Sequence, residues 1–331
     1  MNVLRLHATG DLRFHDEPLP QPGEGEQLFH VKAVGICGSD LHWFSEAAIG
    51  DAQLDHPLVL GHEFAGVTED GQHMAVDPAI PCGECEFCLH GHPNLCERLV
   101  FAGHATQDGA LREWLAWPRK HLFPLPDGLS VADGAMLEPL GIAIHTTDLA
   151  KLRPGMTVGV FGCGPIGLLT VQMARLSGAS NIIATDLLPH RVEAAKNLGV
   201  QHAFVVGDRL DPDRLRAATG GRGVDVAFEA AGEQEAVDDA FAAVVPGGKV
   251  ILGGIPTEDH TVFSASIARR KGLTIKMVRR MKHTYPRAIE LVSKGLVDVR
   301  SIVTHRFPLA EAGEAFRVAE RREGLKILIE V

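Results

Sequence analysis

Four cysteines, Cys82, Cys85, Cys88 and Cys96, crowd into a stretch of fifteen residues. Thiolates at this spacing can close a tetrahedral shell around one zinc ion, and a shell of four sulfurs leaves no position for water. The loop therefore reads as a structural clamp, with His90 and His92 as solvated neighbours. Unrelated buried thiols and a redox centre are the competing explanations. A nucleic-acid zinc knuckle is a further rival, but neither a basic patch nor stacking aromatic residues accompany the loop.

A fifth cysteine needs a separate account. Cys37 sits in Gly35-Ile36-Cys37-Gly38-Ser39-Asp40-Leu41-His42, and Gly61-His62-Glu63 follows further on. A thiolate, an imidazole and a carboxylate from separate segments supply three protein ligands and leave a fourth position for water or substrate, which is the condition for a catalytic zinc. By spacing alone a small buried thiol competes with this, because 17 histidines make chance pairs common.

The sixth cysteine lies inside Gly162-Cys163-Gly164-Pro165-Ile166-Gly167, a G-x-G-x-x-G. Bare backbone there lets a pyrophosphate approach the N-terminus of the following helix. Asp186 comes about 20 residues later, where a carboxylate accepts from a ribose 2'-hydroxyl and repels a 2'-phosphate. That favours NAD over NADP. Arg191 works in the other direction, since a nearby guanidinium can accommodate a 2'-phosphate, but the carboxylate should dominate. Cys163 itself reads as a small filler.

These groups need elements to hold them. The first 140 residues or so read as short strands and loops, as in 29–36, where Phe29, Val31 and Ala33 share one face of a two-residue period. From about Arg153 the texture changes to short apolar strands alternating with helical segments, the pattern of a parallel sheet with crossover helices. Strands are expected at 157–161, 181–185, 203–206, 224–229, 250–253 and 273–278. Helices are expected after the glycine hexad, with Ile166, Leu169, Met173 and Leu176 on one face, and at 189–198. Six such strands fit a doubly wound sheet. The tail returns to a mixed texture, with helices at 285–293 and 309–319 and strands at 302–305 and 326–330, and is expected to rejoin the first region.

Composition narrows the partners. Acidic residues outnumber basic ones by 42 to 32, for a formal charge of -10, which argues against grip on nucleic-acid phosphates or anionic lipid. The expected partner is a small molecule. At 45% apolar and 22% charged, the 331 residues are of globular composition and long enough for about two domains. No apolar run approaches the roughly 18 residues of a membrane span, and residues 1–10 lack a signal-peptide pattern, so the expected location is the cytoplasm. There, cysteines serve metals or catalysis more often than disulfides.

The run 35–42, Gly61-His62-Glu63, the four-cysteine loop, Glu138-Pro139-Leu140, the glycine hexad with Asp186, and Val303-Thr304-His305-Arg306-Phe307-Pro308-Leu309 occur in one chain and in this order. In this the sequence resembles the zinc-dependent medium-chain alcohol dehydrogenases over nearly its whole length, and most of all their polyol branch, the sorbitol (L-iditol) dehydrogenases. The resemblance implies an α/β protein in which a GroES-like, mainly β catalytic domain at 1–145 and 280–331 flanks a Rossmann domain at 146–279. It implies two zinc ions per chain: a structural one on the four-cysteine loop, and a catalytic one on Cys37, His62 and Glu63 with Glu138 beside the metal or holding its water.

Adjacent side chains on a regular strand point to opposite faces, so His62 and Glu63 can share an ion only if the backbone departs from strand geometry, which Gly61 permits. Glu138 is the alternative to Glu63 as direct ligand. Asp40 matches a carboxylate that fixes the His62 ring and its tautomer. Ser39 and His42, with a cofactor ribose hydroxyl, match a proton relay to solvent. Arg280 matches an arginine presented to substrate hydroxyls and cofactor, with Arg279 as the other option. Phe101 and His104 lie in the segment that resembles a pocket wall.

The cofactor residues implied are Gly162, Gly164, Pro165, Ile166, Gly167, Asp186 and Arg191. Two departures stand out: Trp43 occupies the place of a tyrosine near the substrate, and the chain is shortened between Gly66 and Met74. The expected function is NAD-dependent oxidation of a secondary alcohol of a polyol or sugar-acid substrate to a ketone, by a homodimer or homotetramer. The alternatives are a dehydrogenase of L-threonine or a vicinal diol, and a catalytically silent zinc and nucleotide binding protein.

Overall fold

The computed structural model describes residues 1–207 and 209–331. The chain forms two compact units, Met1–Gly141 with Lys282–Val331, and Ile142–Met281.

The first unit is built on a seven-stranded sheet. Its main path runs Leu122–Pro124, His73–Val76, Glu63–Thr68, Glu26–Gly35, Lys326–Glu330, Val303–Pro308, and Trp114–Pro118 also pairs with Glu26–Gly35. The ten-residue strand Glu26–Gly35 is central, and Phe29, Val31 and Ala33 are all buried, as their spacing predicts. Phe29 and Val31 pack with Phe64, Leu60, Trp117 and Phe316 in one apolar core. Lys326–Glu330 lies antiparallel to the end of the central strand and parallel to Val303–Pro308. This insertion places the last residues of the chain next to Gly35 and Glu63.

Reading this region as strands and loops overlooked its helices. Gly38–Glu46 follows Cys37 directly and is begun by Asp40, whose carboxylate accepts the Cys37 backbone N–H at 2.9 Å. Val131–Ala135 starts at a Ser130–Asp133 capping box, and Leu137–Ala150 follows it. These helices are short or apolar on most sides, so they show little 3.6-residue periodicity.

The second unit is a six-stranded, all-parallel sheet. From edge to edge it runs His202–Val205, Asn181–Asp186, Thr157–Phe161, Val224–Glu229, Val244–Leu252, Thr274–Met277. In chain order that is third, second, first, fourth, fifth, sixth, the doubly wound arrangement whose order reverses between Thr157–Phe161 and Val224–Glu229. Buried runs such as Val158, Val160 and Phe161 reflect a sheet covered on both faces. The expected strand at 250–253 begins earlier, at Val244, because Pro246, Gly247 and Gly248 conceal its start. The expected helix at 309–319 opens as a 3-10 turn, Leu309–Glu311, and becomes α-helical over Ala312–Glu320. No helix among the described residues is long and apolar enough to cross a membrane.

Candidate active site and metal centres

Two clusters of three or more metal-type side chains exist among the described residues. In the first, the sulfurs of Cys82, Cys85, Cys88 and Cys96 all lie within 4.8 Å of one another, with Cys82–Cys96 at 3.5 Å and Cys82–Cys88 at 4.0 Å. A tetrahedral zinc with bonds of about 2.3 Å sets its sulfurs about 3.8 Å apart, so the set fits that ion. Backbone N–H groups, that of Glu84 foremost, bring the Cys82 thiol down to about 6, whereas desolvation and its sulfur neighbours push Cys88 up to about 12. His90 is exposed near Glu86, while His92 takes the Lys282 ammonium at 3.1 Å.

The second cluster is Cys37, His62 and Glu63, one ligand atom from each lying within 4.8 Å of the others. Cys37 stands at the start of helix Gly38–Glu46, and Glu63 is the first residue of its strand. His62 precedes the strand, and Gly61 has φ +94°, so the backbone leaves strand geometry just where two adjacent side chains must turn to one point. Asp40 joins the segments. Its carboxylate accepts from the Cys37 and Gly61 N–H groups, the latter at 3.2 Å, and faces His62 Nδ1 at 3.3 Å. That contact directs Nε2 toward the cluster. Burial opposes a charge on His62, but Asp40 and then Cys37 outweigh it and hold the imidazole well above its ordinary pKa.

Sequence reasoning missed a partner of Glu63. Lys326 is buried, and its ammonium contacts both Glu63 oxygens, at 2.8 and 2.6 Å, and the Ile36 carbonyl at 2.9 Å. Gly35 sits opposite both Glu63 and Leu328 in the sheet, and a Cβ on it would collide with the Glu63 carboxylate. The glycine thus clears the space in which the buried pair meets. One signal was available: Lys326 heads the apolar run Ile327-Leu328-Ile329 of the terminal strand.

The remaining expected residues distribute as follows. Ser39 Oγ is 3.4 Å from His62 Nε2. His42, one turn along the same helix, contacts Glu46 at 3.3 Å. Glu138 is buried, and desolvation pushes its carboxyl up to about 8, with His62 pulling it down and Glu63 pushing it further up. The Phe101 ring lies 5.2 Å from that of His62. Trp43 is 1% exposed, packs edge-on to His104 and belongs to the apolar core.

In the second unit Gly162 has φ +105°, Gly164 precedes helix Pro165–Leu176, and a Cβ on Gly167 would collide with the Gly162 carbonyl. Glycine is required at both ends of the turn. Asp186 ends the second strand and accepts from Cys163 N–H at 2.8 Å and Leu188 N–H at 2.9 Å, with the Arg191 guanidinium 3.9 Å away. Each carboxylate oxygen keeps acceptor capacity for a ribose hydroxyl. Arg280 follows the last strand of this sheet with φ +52° and is half-buried.

A doubly wound dinucleotide-type unit and a GroES-like unit carrying a thiolate, imidazole and carboxylate cluster together define a class: dehydrogenases that combine a pyridine nucleotide with zinc. Comparison with known proteins agrees. Residues 23–127 match the alcohol dehydrogenase GroES-like domain, and residues 165–294 match the zinc-binding dehydrogenase family. Sorbitol dehydrogenase of Bacillus subtilis is 35% identical over 99% of this chain and 97% of its own length. A probable D-xylulose reductase A of Aspergillus clavatus is 35% identical over 98% of this chain and 95% of its own. The crystal structure of 2R,3R-butanediol dehydrogenase from Bacillus subtilis aligns with a TM-score of 0.87 at 30% identity, covering 100% of this chain and 99% of that one. The chain belongs to the zinc-binding, medium-chain alcohol dehydrogenase family.

Proposed function

We propose that this protein oxidises a secondary hydroxyl of a polyol or sugar-acid substrate to a ketone, with NAD as the hydride acceptor. The observation that carries the proposal is the convergence of Cys37, His62 and Glu63 within 4.8 Å, with Asp40 behind His62. Two zinc ions per chain are assigned, one to this cluster and one to Cys82, Cys85, Cys88 and Cys96. When bound, the metal would lower the pKa of a substrate hydroxyl as a Lewis acid, and the nicotinamide would take the hydride.

The protein's own groups prepare that chemistry. Asp40 fixes the His62 ring, so that one nitrogen faces the cluster and does not swing. Ser39, beside that nitrogen, would take the alcohol proton as its own hydroxyl proton passes by way of a cofactor ribose hydroxyl to His42, three residues along the helix, and so outward. Desolvation raises the Glu138 carboxyl, a zinc ion bound nearby would favour its ionised form, and Glu63 and Glu138 compete for the role of direct ligand. Arg280 is assigned to substrate hydroxyls. Gly162, Gly164, Pro165, Ile166 and Gly167 bear the pyrophosphate, and Asp186 the adenosine ribose, with Arg191 alongside.

The polyol branch is supported by the sorbitol dehydrogenase and D-xylulose reductase relatives. A vicinal diol is the second reading, favoured by the likeness to butanediol dehydrogenase. Initial rates with NAD on sugar alcohols, sugar acids, vicinal diols and L-threonine test the two: turnover of polyols is expected, and turnover of diols alone overturns the first reading. Asp186→Gly should move cofactor preference toward NADP by at least tenfold in kcat/KM; unchanged preference refutes the assignment of that carboxylate. A cytoplasmic location and a homodimer or homotetramer complete the proposal, the latter read by sedimentation.

A further inference from the structure

Asp186 is matched by a second carboxylate, at the end of the fourth strand, that cofactor recognition by the glycine hexad leaves unexplained. Glu229 is 2% exposed and, among the described residues, hydrogen-bonds to no group of opposite charge; it accepts three backbone N–H groups instead. Oε1 takes those of Ala231 and Gly232, both at 2.7 Å, and Oε2 takes that of Gly254 at 3.1 Å. The donors come from two turns, one after the fourth strand and one after the fifth.

The first turn is stacked against the glycine hexad and the second turn against the first, with no room to spare. A Cβ on Gly162 would come within 2.8 Å of the Ala231 nitrogen, and a Cβ on Gly254 would collide with Gly232. Backbone bonds run through the stack in step, from Ala230 N–H to the Phe161 carbonyl and from Gly253 N–H to the Glu229 carbonyl. Gly162, Ala230–Gly232 and Gly253–Gly254 are therefore three successive layers at the carboxyl ends of the strands, and the Glu229 carboxylate pins the second layer to the third. Burial raises its pKa above the ordinary glutamate value, a cost borne where ligand, not core, is expected.

In a doubly wound sheet the first three strands serve one mononucleotide and the last three the other, across the point where the order reverses. Asp186, on the second strand, addresses the adenosine half. Glu229 opens the other half. We propose that Glu229 is a positioning residue for the nicotinamide half of the cofactor, holding the turns at 230–232 and 253–254 in one register against the glycine hexad. The inference rests on the dinucleotide reading of this unit and deepens it.

The test compares two probes on the full chain: NADH, which spans both halves, and ADP-ribose, which lacks the nicotinamide. Glu229→Gln keeps the shape but puts an amide N–H2 against one set of donors; Glu229→Asp keeps the charge on a shorter arm and stands in if the first variant fails to fold. Dissociation constants for both probes, by fluorescence and calorimetry, are expected to give a ratio of NADH to ADP-ribose Kd at least tenfold higher than in the parent protein, with ADP-ribose binding within twofold and KM for NAD raised more than kcat is lowered. A purely structural role moves both constants together, and an unchanged ratio in the variant that folds overturns the proposal. Failure of the parent protein to bind NADH would instead remove the dinucleotide reading itself.

Discussion

The two metal-type clusters of the first unit solve the same problem at different ranges. The sulfur cluster is local: its four ligands lie within fifteen residues and three of them are half-exposed, so a short loop and the ion suffice to define it. The mixed cluster is assembled from distant segments. His62 and Glu63 are buried, Asp40 bridges two segments behind them, and Lys326, 263 residues from Glu63, closes it from the last strand. A closed site can be written into a loop, whereas an open site with a vacant coordination position must be held rigid by the fold around it.

Removing one ligand from each cluster should break this comparison most sharply. Cys37→Ser is expected to lower kcat by at least about a thousandfold, about 4 kcal/mol of barrier, with zinc content falling from two ions to one and little change in thermal midpoint. Cys85→Ser should also cost one zinc, but with a loss of stability and only partial loss of turnover. Metal analysis beside calorimetry separates them; equal stability loss in both variants would erase the distinction.

Lys326→Met should come next. In the zinc-free protein it leaves the Glu63 carboxylate buried without its partner, which costs about 3–5 kcal/mol in systems of this kind. Urea unfolding measures it, and a loss below about 1 kcal/mol would show that Glu63 finds another partner without cost. Asp40→Asn sharpens the same point from the other side. It keeps the shape and removes the charge facing His62, so zinc affinity, read by chelator competition, should fall about 10- to 100-fold with the four-sulfur site unaffected.

The smallest effect is expected outside both clusters, as a control. Arg300 makes two hydrogen bonds to Asp133, at 2.9 and 2.8 Å, but its side chain is 65% exposed. Arg300→Met should cost about 1 kcal/mol or less at neutral pH. Burial raises the Asp133 carboxyl, and Arg300 and Ser130 outweigh it, leaving it below its ordinary value. Its contribution is therefore complete above a pH of about 4 and is lost as pH falls through the folded value. The variant should flatten that acid limb in urea midpoints taken between about pH 2 and 5.

Much of this was legible beforehand, and the exceptions share a cause. The strands Thr157–Phe161, Val224–Glu229 and Lys326–Glu330 and the helix Tyr285–Ser293 have the bounds their patterns predict, because apolar periodicity and Gly or Pro punctuation are local signals. The start of Val244–Leu252 was hidden by proline and glycine inside a strand. The burial of Trp43 was not legible either, since an aromatic residue has the same appearance in a sequence whether it lies exposed or in the core.

The amino-acid sequence by itself determined the donor types, the sulfur spacing, the glycine hexad with its carboxylate, and the alternation that makes a doubly wound sheet. Those follow from chemistry within a few tens of residues. Only the tertiary structure decided that Gly61 turns His62 and Glu63 to one point, that Gly35 opens a space beside Glu63, and that Lys326 and Glu229 fill buried positions with charge. Each depends on sheet pairing between remote segments, and which strands become neighbours is settled by burial of the whole core rather than by any one stretch of chain.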